Sequence, residues 1–255
     1  MIHSGLVSVR FRKFSPAAIV ALVKEAGPKA IERGGGIHGP SDDRGRARKV
    51  RGPTLKNGLS VAAFGRYHRA GQSESAGLSF ELVLATAGEF GAPAIRVWPG
   101  GTGLEQTVED GRCKIARGLR RIADFAARAV AGISREYDGG PLTATHESAS
   151  RFLFEIGHPN VFINWQPPRG EETAECVRGL SGMPPQVRNV HVFHRRPTSA
   201  ERHPLANGSA RWTNILSLLQ QAPGDRFALL ESVPGDDAAA FLRGAATWKA
   251  WLACS

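Results

Sequence analysis

Residues 133–165, which read ISREYDGGPLTATHESASRFLFEIGHPNVFINW, contain a β-rich run, a helical segment and a second β-rich run. Val161–Trp165 is mostly apolar, which is typical of a parallel strand that is buried on both faces, and Ile133–Tyr137 begins and ends with an apolar residue. Thr143 marks the expected start of the helix between them. This stretch therefore predicts a strand–helix–strand unit with a parallel pair of strands.

The same alternation of β-rich runs and helical segments extends over the rest of the chain. In the segment that follows Asp110, Ile115, Leu119, Ile122 and Ala126 recur at every third or fourth position and form one apolar helix face. Six further runs have the character of strands. They are Leu6–Arg10, Ala30–Arg33, Leu59–Phe64, Ala94–Trp98, Val187–Phe193 and Phe227–Val233.

Helix ends are also visible in the sequence. Ser15 followed by Pro16 is a favourable helix start, and Gly27 is a favourable end for that helix. Asp236 or Asp237 is the expected start of the last helix. These signals place helices after the first and the last predicted strand.

Eight strand–helix units predict an α/β protein with a (β/α)8 TIM barrel, formed as a single domain over residues 1–255. The alternative is a doubly wound open sheet, which usually carries a G-x-G-x-x-G phosphate loop after an early strand. Gly34-Gly35-Gly36 follows the second predicted strand but lacks that spacing. The sequence therefore favours the closed barrel.

The composition is that of a globular protein. Hydrophobic residues make up 42% of the 255 residues, and no apolar run approaches the roughly 20 residues that a membrane helix needs. The N-terminal residues lack the apolar core of a signal peptide. The three cysteines, Cys113, Cys176 and Cys254, are far apart and fit free thiols in a reducing compartment. We therefore expect a cytoplasmic protein without a membrane partner.

The formal net charge of +10 requires an interpretation. A polyanion such as nucleic acid is one candidate partner for so basic a chain. No aromatic residues are interleaved with the densest basic run, so a platform for stacking bases is not evident. We favour solvated helix faces and do not expect nucleic-acid binding. The run comprises Arg44, Arg46, Arg48, Lys49 and Arg51.

Three polar residues interrupt otherwise apolar strands close to their carboxyl ends, where TIM barrels form their active sites. They are Glu136, His191 and Glu231. Two carboxylates and an imidazole at one barrel mouth could hold a divalent cation, and Gln166 could add a neutral oxygen. The alternative is that each residue forms a separate ion pair with one of the many arginines.

Several segments carry a resemblance to a known family. They are AIERGGGIHGP (30–40), AIRVWPGG (94–101), VRNVHVFHR (187–195), RFALLESV (226–233) and the stretch quoted first. The sequence resembles the xylose isomerase-like TIM barrel superfamily, which includes sugar isomerases, sugar epimerases, inosose dehydratase-type enzymes and endonuclease-IV-type nucleases. The resemblance implies one divalent ion, Mn, Mg, Co or Zn. The positions that match the family's ligands are Glu136, Gln166, His191 and Glu231.

The resemblance also implies a reaction. In the epimerase branch the two glutamates, here Glu136 and Glu231, form the acid/base pair. The hypothesis is a metal-dependent isomerase or epimerase of carbohydrate metabolism that converts a sugar, sugar phosphate or polyol through an enediolate. The sequence leaves open whether the protein forms a homodimer. Predicted substrate-binding residues are Phe11, His38, His68, Trp98, Trp165, His194, Arg195 and His203.

Two departures from the family pattern keep other functions open. The sixth strand usually supplies Asp, where this chain has Gln166, so a non-catalytic sugar-binding barrel is one alternative. Glu201-Arg202-His203 resembles the Asp-Arg-His element of endonuclease-IV-type enzymes that act on damaged DNA. Arg169, however, stands where those nucleases have a second histidine, which leaves their multi-metal site short of ligands.

Overall fold

Eight parallel strands form a closed barrel in the computed structural model, and each strand pairs with the next until β8 pairs with β1. The strands are β1 Ile2–Val7, β2 Ala30–Gly34, β3 Ser60–Ala70, β4 Ala94–Pro99, β5 Gly132–Glu136, β6 Val161–Trp165, β7 Val187–Val192 and β8 Arg226–Leu230. The structure describes residues 1–36, 38–40, 43–99, 108–129, 131–137, 142, 145–168, 170–198 and 200–254.

A helix follows every strand, so the architecture is the predicted (β/α)8 TIM barrel. The helices are α1 Pro16–Ala26, α2 Arg44–Lys56, α3 Phe80–Phe90, α4 Val108–Arg128, α5 His146–Ile156, α6 Thr173–Ser181, α7 Ser209–Gln221 and α8 Ala238–Cys254.

Helix ends follow the local signals in the sequence. The Ser15 hydroxyl accepts a hydrogen bond from the Ala18 amide at 3.2 Å, and Gly27 ends α1 with a φ of +95°. At α8 the Asp237 carboxylate accepts from the Ala240 amide at 2.8 Å, which decides between the two predicted starts. Thr143, the predicted start of α5, lies outside the described residues.

The first strand differs from the prediction. It was expected over Leu6–Arg10, but β1 spans Ile2–Val7 and Arg10 ends a short 3-10 helix. Residues Ile2–Leu6 are in parallel register with Arg226–Leu230 of β8, so pairing at the closure of the barrel fixes this strand. Local β propensity, on which the prediction depended, contains no information about that partner.

The layer between sheet and helices divides into two hydrophobic clusters. The first lies mainly between β1, β6, β7, β8 and the helices α1, α6, α7 and α8. Trp165, Trp212 and Trp248 pack in it edge to face, with ring centroids 6.4 and 6.2 Å apart. The second cluster lies mainly between β3 to β5 and the helices α2 to α5.

Side chains of alternate strand residues point into the barrel. Leu6 belongs to the first outer cluster, whereas Val7 packs with Ala30, Ala62 and Leu229 in a small separate cluster. These four apolar residues are buried and fill part of the barrel interior.

The basic run of α2 lies on the protein surface. Arg44 and Arg48 place a guanidinium nitrogen 2.6 and 2.9 Å from Glu89 of α3, and both arginines are more than half exposed. This arrangement supports the interpretation of the run as a solvated helix face. None of the described helices combines the length and the apolar character that a membrane crossing requires.

Candidate active site

A cavity of about 250 Å³ opens at the carboxyl ends of the strands. Its wall is rich in charge, which is unusual for a small pocket and indicates a polar or ionic ligand. The charged residues of the wall are Arg10, Arg12, Arg96, Arg195, Arg211, Glu136 and Glu231.

Arg96 of β4 joins two of the barrel's glutamates. Its Nε lies 2.7 Å from Glu32 Oε1, and its Nη1 donates to Glu136 Oε2. Arg96 is 5% exposed and Glu32 is fully buried. Ion pairs of this kind are removed from solvent, so breaking one of them leaves a buried charge without compensation.

The other oxygen of Glu32 continues this network. Glu32 Oε2 lies 3.2 Å from His191 Nε2, and His191 Nδ1 lies 3.8 Å from Glu231 Oε2. Arg195 Nη2 lies 3.4 Å from the same Glu231 oxygen. The six side chains form a continuous sequence of alternating charge, which we call the ion-pair chain. In order it comprises Glu136, Arg96, Glu32, His191, Glu231 and Arg195.

The environment shifts the acidity of the buried groups. Burial alone would raise the pKa of Glu32, but the charges and hydrogen bonds of Arg96 and His191 outweigh it and lower this pKa to about 2. Burial, together with the negative charges of Glu231 and Glu32, raises the pKa of Glu136 above its ordinary value. Glu32 is thus a fixed anion, whereas Glu136 is suited to exchanging a proton.

Glu231 is oriented by the residue that follows it in the chain, Ser232. Ser232 has a φ of +52° and places its hydroxyl 3.5 Å from Glu231 Oε2. Residues other than glycine rarely adopt this left-handed conformation, and it turns the chain sharply at the end of β8.

Gly65 of β3 makes room for the pair of Arg96 and Glu32. A Cβ atom at this position would lie 2.6 Å from Arg96 Nη2 and 2.6 Å from Glu32 Oε1. Such distances are shorter than real Cβ atoms tolerate, so a side chain here would displace the ion pair.

Gly65→Ala is therefore expected to lower the free energy of unfolding by about 1–3 kcal/mol, because the added methyl group overpacks the barrel interior. Urea unfolding measures the difference. The matched control is Gly244→Ala in α8, where an added Cβ meets no atom within 4 Å and alanine favours the helix. Equal midpoints for the two variants would contradict the crowding argument.

Comparison with known sequence families assigns the fold to a family. The sequence model described as "Xylose isomerase-like TIM barrel" matches residues 20–249. The chain belongs to this family. No curated protein matches the sequence.

Solved structures of other xylose isomerase-like barrels share the fold. A probable 3-DHS dehydratase, AsbF, from Bacillus anthracis superposes with a TM-score of 0.79 at 18% identity, over 98% of this chain and 99% of that one. The IOLI protein, described with a bound zinc atom, gives 0.78 at 15% identity over 98% and 97%. D-psicose 3-epimerase, in the presence of D-fructose, gives 0.72 at 15% identity over 97% and 98%. Identities this low establish the common fold alone.

The structure places the four residues predicted to hold a metal along the cavity wall and the ion-pair chain, and their binding of an ion stays a prediction. Glu136, His191 and Glu231 do belong to one network, but Glu136 is paired with Arg96 and both imidazole nitrogens face carboxylates. Gln166 lines the cavity, and its amide donates to the Tyr137 carbonyl at 2.7 Å. Among the described residues, no three His, Cys, Asp or Glu side chains are arranged to bind an ion. The pairing with arginines that the sequence left open is the arrangement present.

Two of the predicted substrate-binding residues line the cavity, Trp98 and Arg195. Trp165 does not, because it is fully buried in the first outer cluster, where its Nε1 lies 3.4 Å from His146 Nε2. Phe11 also lies in that cluster. The aromatic residues of the cavity wall are therefore Trp98, Tyr137 and Phe193, of which the sequence predicted only Trp98.

The predicted histidines lie outside the cavity wall. His38 is buried with Nε2 3.1 Å from the Phe14 carbonyl, and His68 packs against the Phe80 ring. His194 and His203 contact each other, with ring centroids 5.8 Å apart. Each has a local structural contact that accounts for its position.

The element that resembles part of a nuclease is also engaged locally. Arg202 Nη1 lies 2.7 Å from Asp236 Oδ1, and His203 Nε2 lies 2.7 Å from the Arg196 carbonyl. Arg169, which weighed against a nuclease, lies outside the described residues. The local contacts of this element give no support to a multi-metal nuclease site.

Sequence reasoning missed two members of the ion-pair chain, Glu32 and Arg96. Both carry the signal that identified the other members, since Glu32 follows Ala30-Ile31 and Arg96 stands between Ile95 and Val97. A charged residue inside an apolar strand was therefore informative at these two positions as well.

Proposed function

We propose that this xylose isomerase-like barrel is an isomerase or epimerase of a small sugar or related polyol. The observation that carries the proposal is the placement of Glu136 and Glu231 on the wall of one cavity, at the ends of β5 and β8. Two carboxyl groups across a cavity can act on opposite sides of a bound carbonyl compound.

Burial raises the pKa of Glu136 and so makes this carboxylate a stronger base than an exposed one. We assign to it the removal of the proton beside the substrate carbonyl. For isomerisation, protonated Glu136 gives its proton to the adjacent carbon. For epimerisation, solvent water takes the proton from Glu136 and supplies one to Glu231, which delivers it to the opposite face of the same carbon. The Glu231 carboxylate is held by Arg195 at 3.4 Å and so keeps a fixed position during the transfer.

The enediolate that forms after proton removal carries negative charge. Arg96 and Arg195 both contribute to the cavity wall, and their guanidinium groups would stabilise this charge by directed hydrogen bonds. Both groups are held in place by ion pairs before the substrate arrives, so little reorganisation is needed.

The comparison structures support this class of reaction. One of them is described as an epimerase and another as a probable dehydratase, and both have the barrel of this chain. Removal of a proton beside a carbonyl is a step that isomerisation, epimerisation and dehydration share.

The proposal is tested by incubating the protein in D2O with a panel of aldoses, ketoses and their phosphates. Deuterium is expected to enter at the carbon next to the carbonyl, together with formation of the isomer, as NMR would record. Binding of a sugar without exchange or conversion would favour the non-catalytic alternative, and a panel that neither binds nor reacts would also count against the proposal.

A further inference from the structure

The geometry points to Arg96 as a built-in replacement for a divalent cation, so that this barrel works without a resident metal ion. The inference rests on the proposed function in one respect only, namely the reaction in which the guanidinium takes part. Its structural basis is the position of Arg96 between two carboxylates, with Nε 2.7 Å from Glu32 Oε1 and Nη1 bound to Glu136 Oε2.

The first argument is charge compensation. Glu32, Glu136 and Glu231 are all at least nine-tenths buried as side chains, and burying three carboxylates together requires positive charge among them. Arg96 supplies a charge that does not titrate in proteins, because the guanidinium does not lose its proton. A divalent ion would supply the same compensation, so the two are alternatives at this place.

The second argument is that the barrel wall is shaped for the guanidinium. Gly65 leaves the space that Arg96 Nη2 and Glu32 Oε1 occupy, since a Cβ atom would lie 2.6 Å from each of them. An arginine that entered the site by accident would not require a glycine on the neighbouring strand. The glycine therefore indicates a site that is built around this ion pair.

The third argument concerns the groups that would have to ligate an ion. His191 Nε2 is engaged by Glu32 at 3.2 Å, whereas Nδ1 lies 3.8 Å from Glu231 and makes no hydrogen bond, so Nδ1 is the one ring nitrogen that could face an ion. Gln166 is neutral and is held by the Tyr137 carbonyl. Displacing Arg96 to admit an ion would leave Glu32, which is fully buried, without its guanidinium partner.

The test compares metal binding by the full-length wild-type protein and by Arg96→Met after treatment with EDTA. Titration calorimetry with Mn²⁺ and Zn²⁺, and the melting temperature with and without each ion, are the readouts. We expect no stoichiometric binding by the wild type. Arg96→Met should bind one ion per chain and melt at a higher temperature when it is present. Arg12→Met, which removes a cavity arginine outside the ion-pair chain, should behave as the wild type.

Binding of one ion per chain by the wild type would overturn the inference. So would a folded Arg96→Met, or a folded Arg96→Met/Gln166→Asp double variant, that still binds no ion. If neither variant folds, the wild-type titration decides alone. These readouts do not depend on turnover, so a metal-free barrel that converts no sugar would refute the proposed function and leave this inference standing.

Discussion

Glu136→Gln is expected to lower the turnover of the substrate found by deuterium exchange about 10²–10⁴-fold, which is the usual contribution of a positioned acid or base. The amide has the shape of the carboxyl group but does not take up a proton at neutral pH. Its oxygen can still accept from Arg96 Nη1, so the guanidinium should keep its place. The fall should therefore appear in kcat, with KM changed much less.

The matched control is Glu175→Gln on α6, which neutralises an exposed carboxylate that pairs with Arg178 on the same helix. Its turnover should equal that of the wild type. If Glu136→Gln retains wild-type kcat while its circular dichroism is native, Glu136 does not transfer the proton and the assignment of the acid/base pair fails.

Glu32→Gln is expected to lower the free energy of unfolding by about 3–5 kcal/mol, the cost of removing one partner from a buried ion pair. Glu32 is fully buried, and its two oxygens pair with Arg96 and His191. A neutral amide would remove the buried negative charge between Arg96 and His191 and leave Glu136 as the remaining ion-pair partner of Arg96. Urea unfolding at pH 7 measures the loss, and Glu175→Gln again serves as the control, with a midpoint close to that of the wild type.

The effect of Glu32→Gln on the free energy of unfolding should also depend on pH. The pKa of Glu32 is lowered from 4.5 to about 2 in the folded protein, so its ionised form stabilises the fold above pH 4.5. That contribution is lost as the pH falls from 4.5 towards 2. The difference in stability between wild type and Glu32→Gln should shrink over this window. A difference that stays constant would mean that the carboxylate's charge is not what stabilises the barrel.

The fold was predictable because its signals are local. Apolar runs such as Val161–Trp165, which has the same bounds in prediction and structure, alternate with helices whose caps are visible in the sequence. The first strand was misplaced because its position depends on pairing with β8, more than 200 residues away. A signal that arises only at closure of the sheet cannot be read from a short window of sequence.

Several residues of the site could be predicted from the sequence, but the side chains with which they pair could not. Glu136, His191 and Glu231 interrupt apolar strands, and the structure does place them in one network. Arg96 lies between the carboxylates of Glu32 and Glu136, and this pairing depends on which side chains meet across the barrel. Glu32 and His191, for example, are 159 positions apart in the chain.

The division of the outer core into two clusters raises the question of which contacts join the two sides of the barrel. Each cluster covers mainly its own group of strands, and Leu153 of α5 packs against both. The ion pairs from Arg96 through Glu32 to His191 cross the barrel interior and connect β4, β2 and β7. The charges that shape the wall of the cavity therefore also join strands on opposite sides of the barrel.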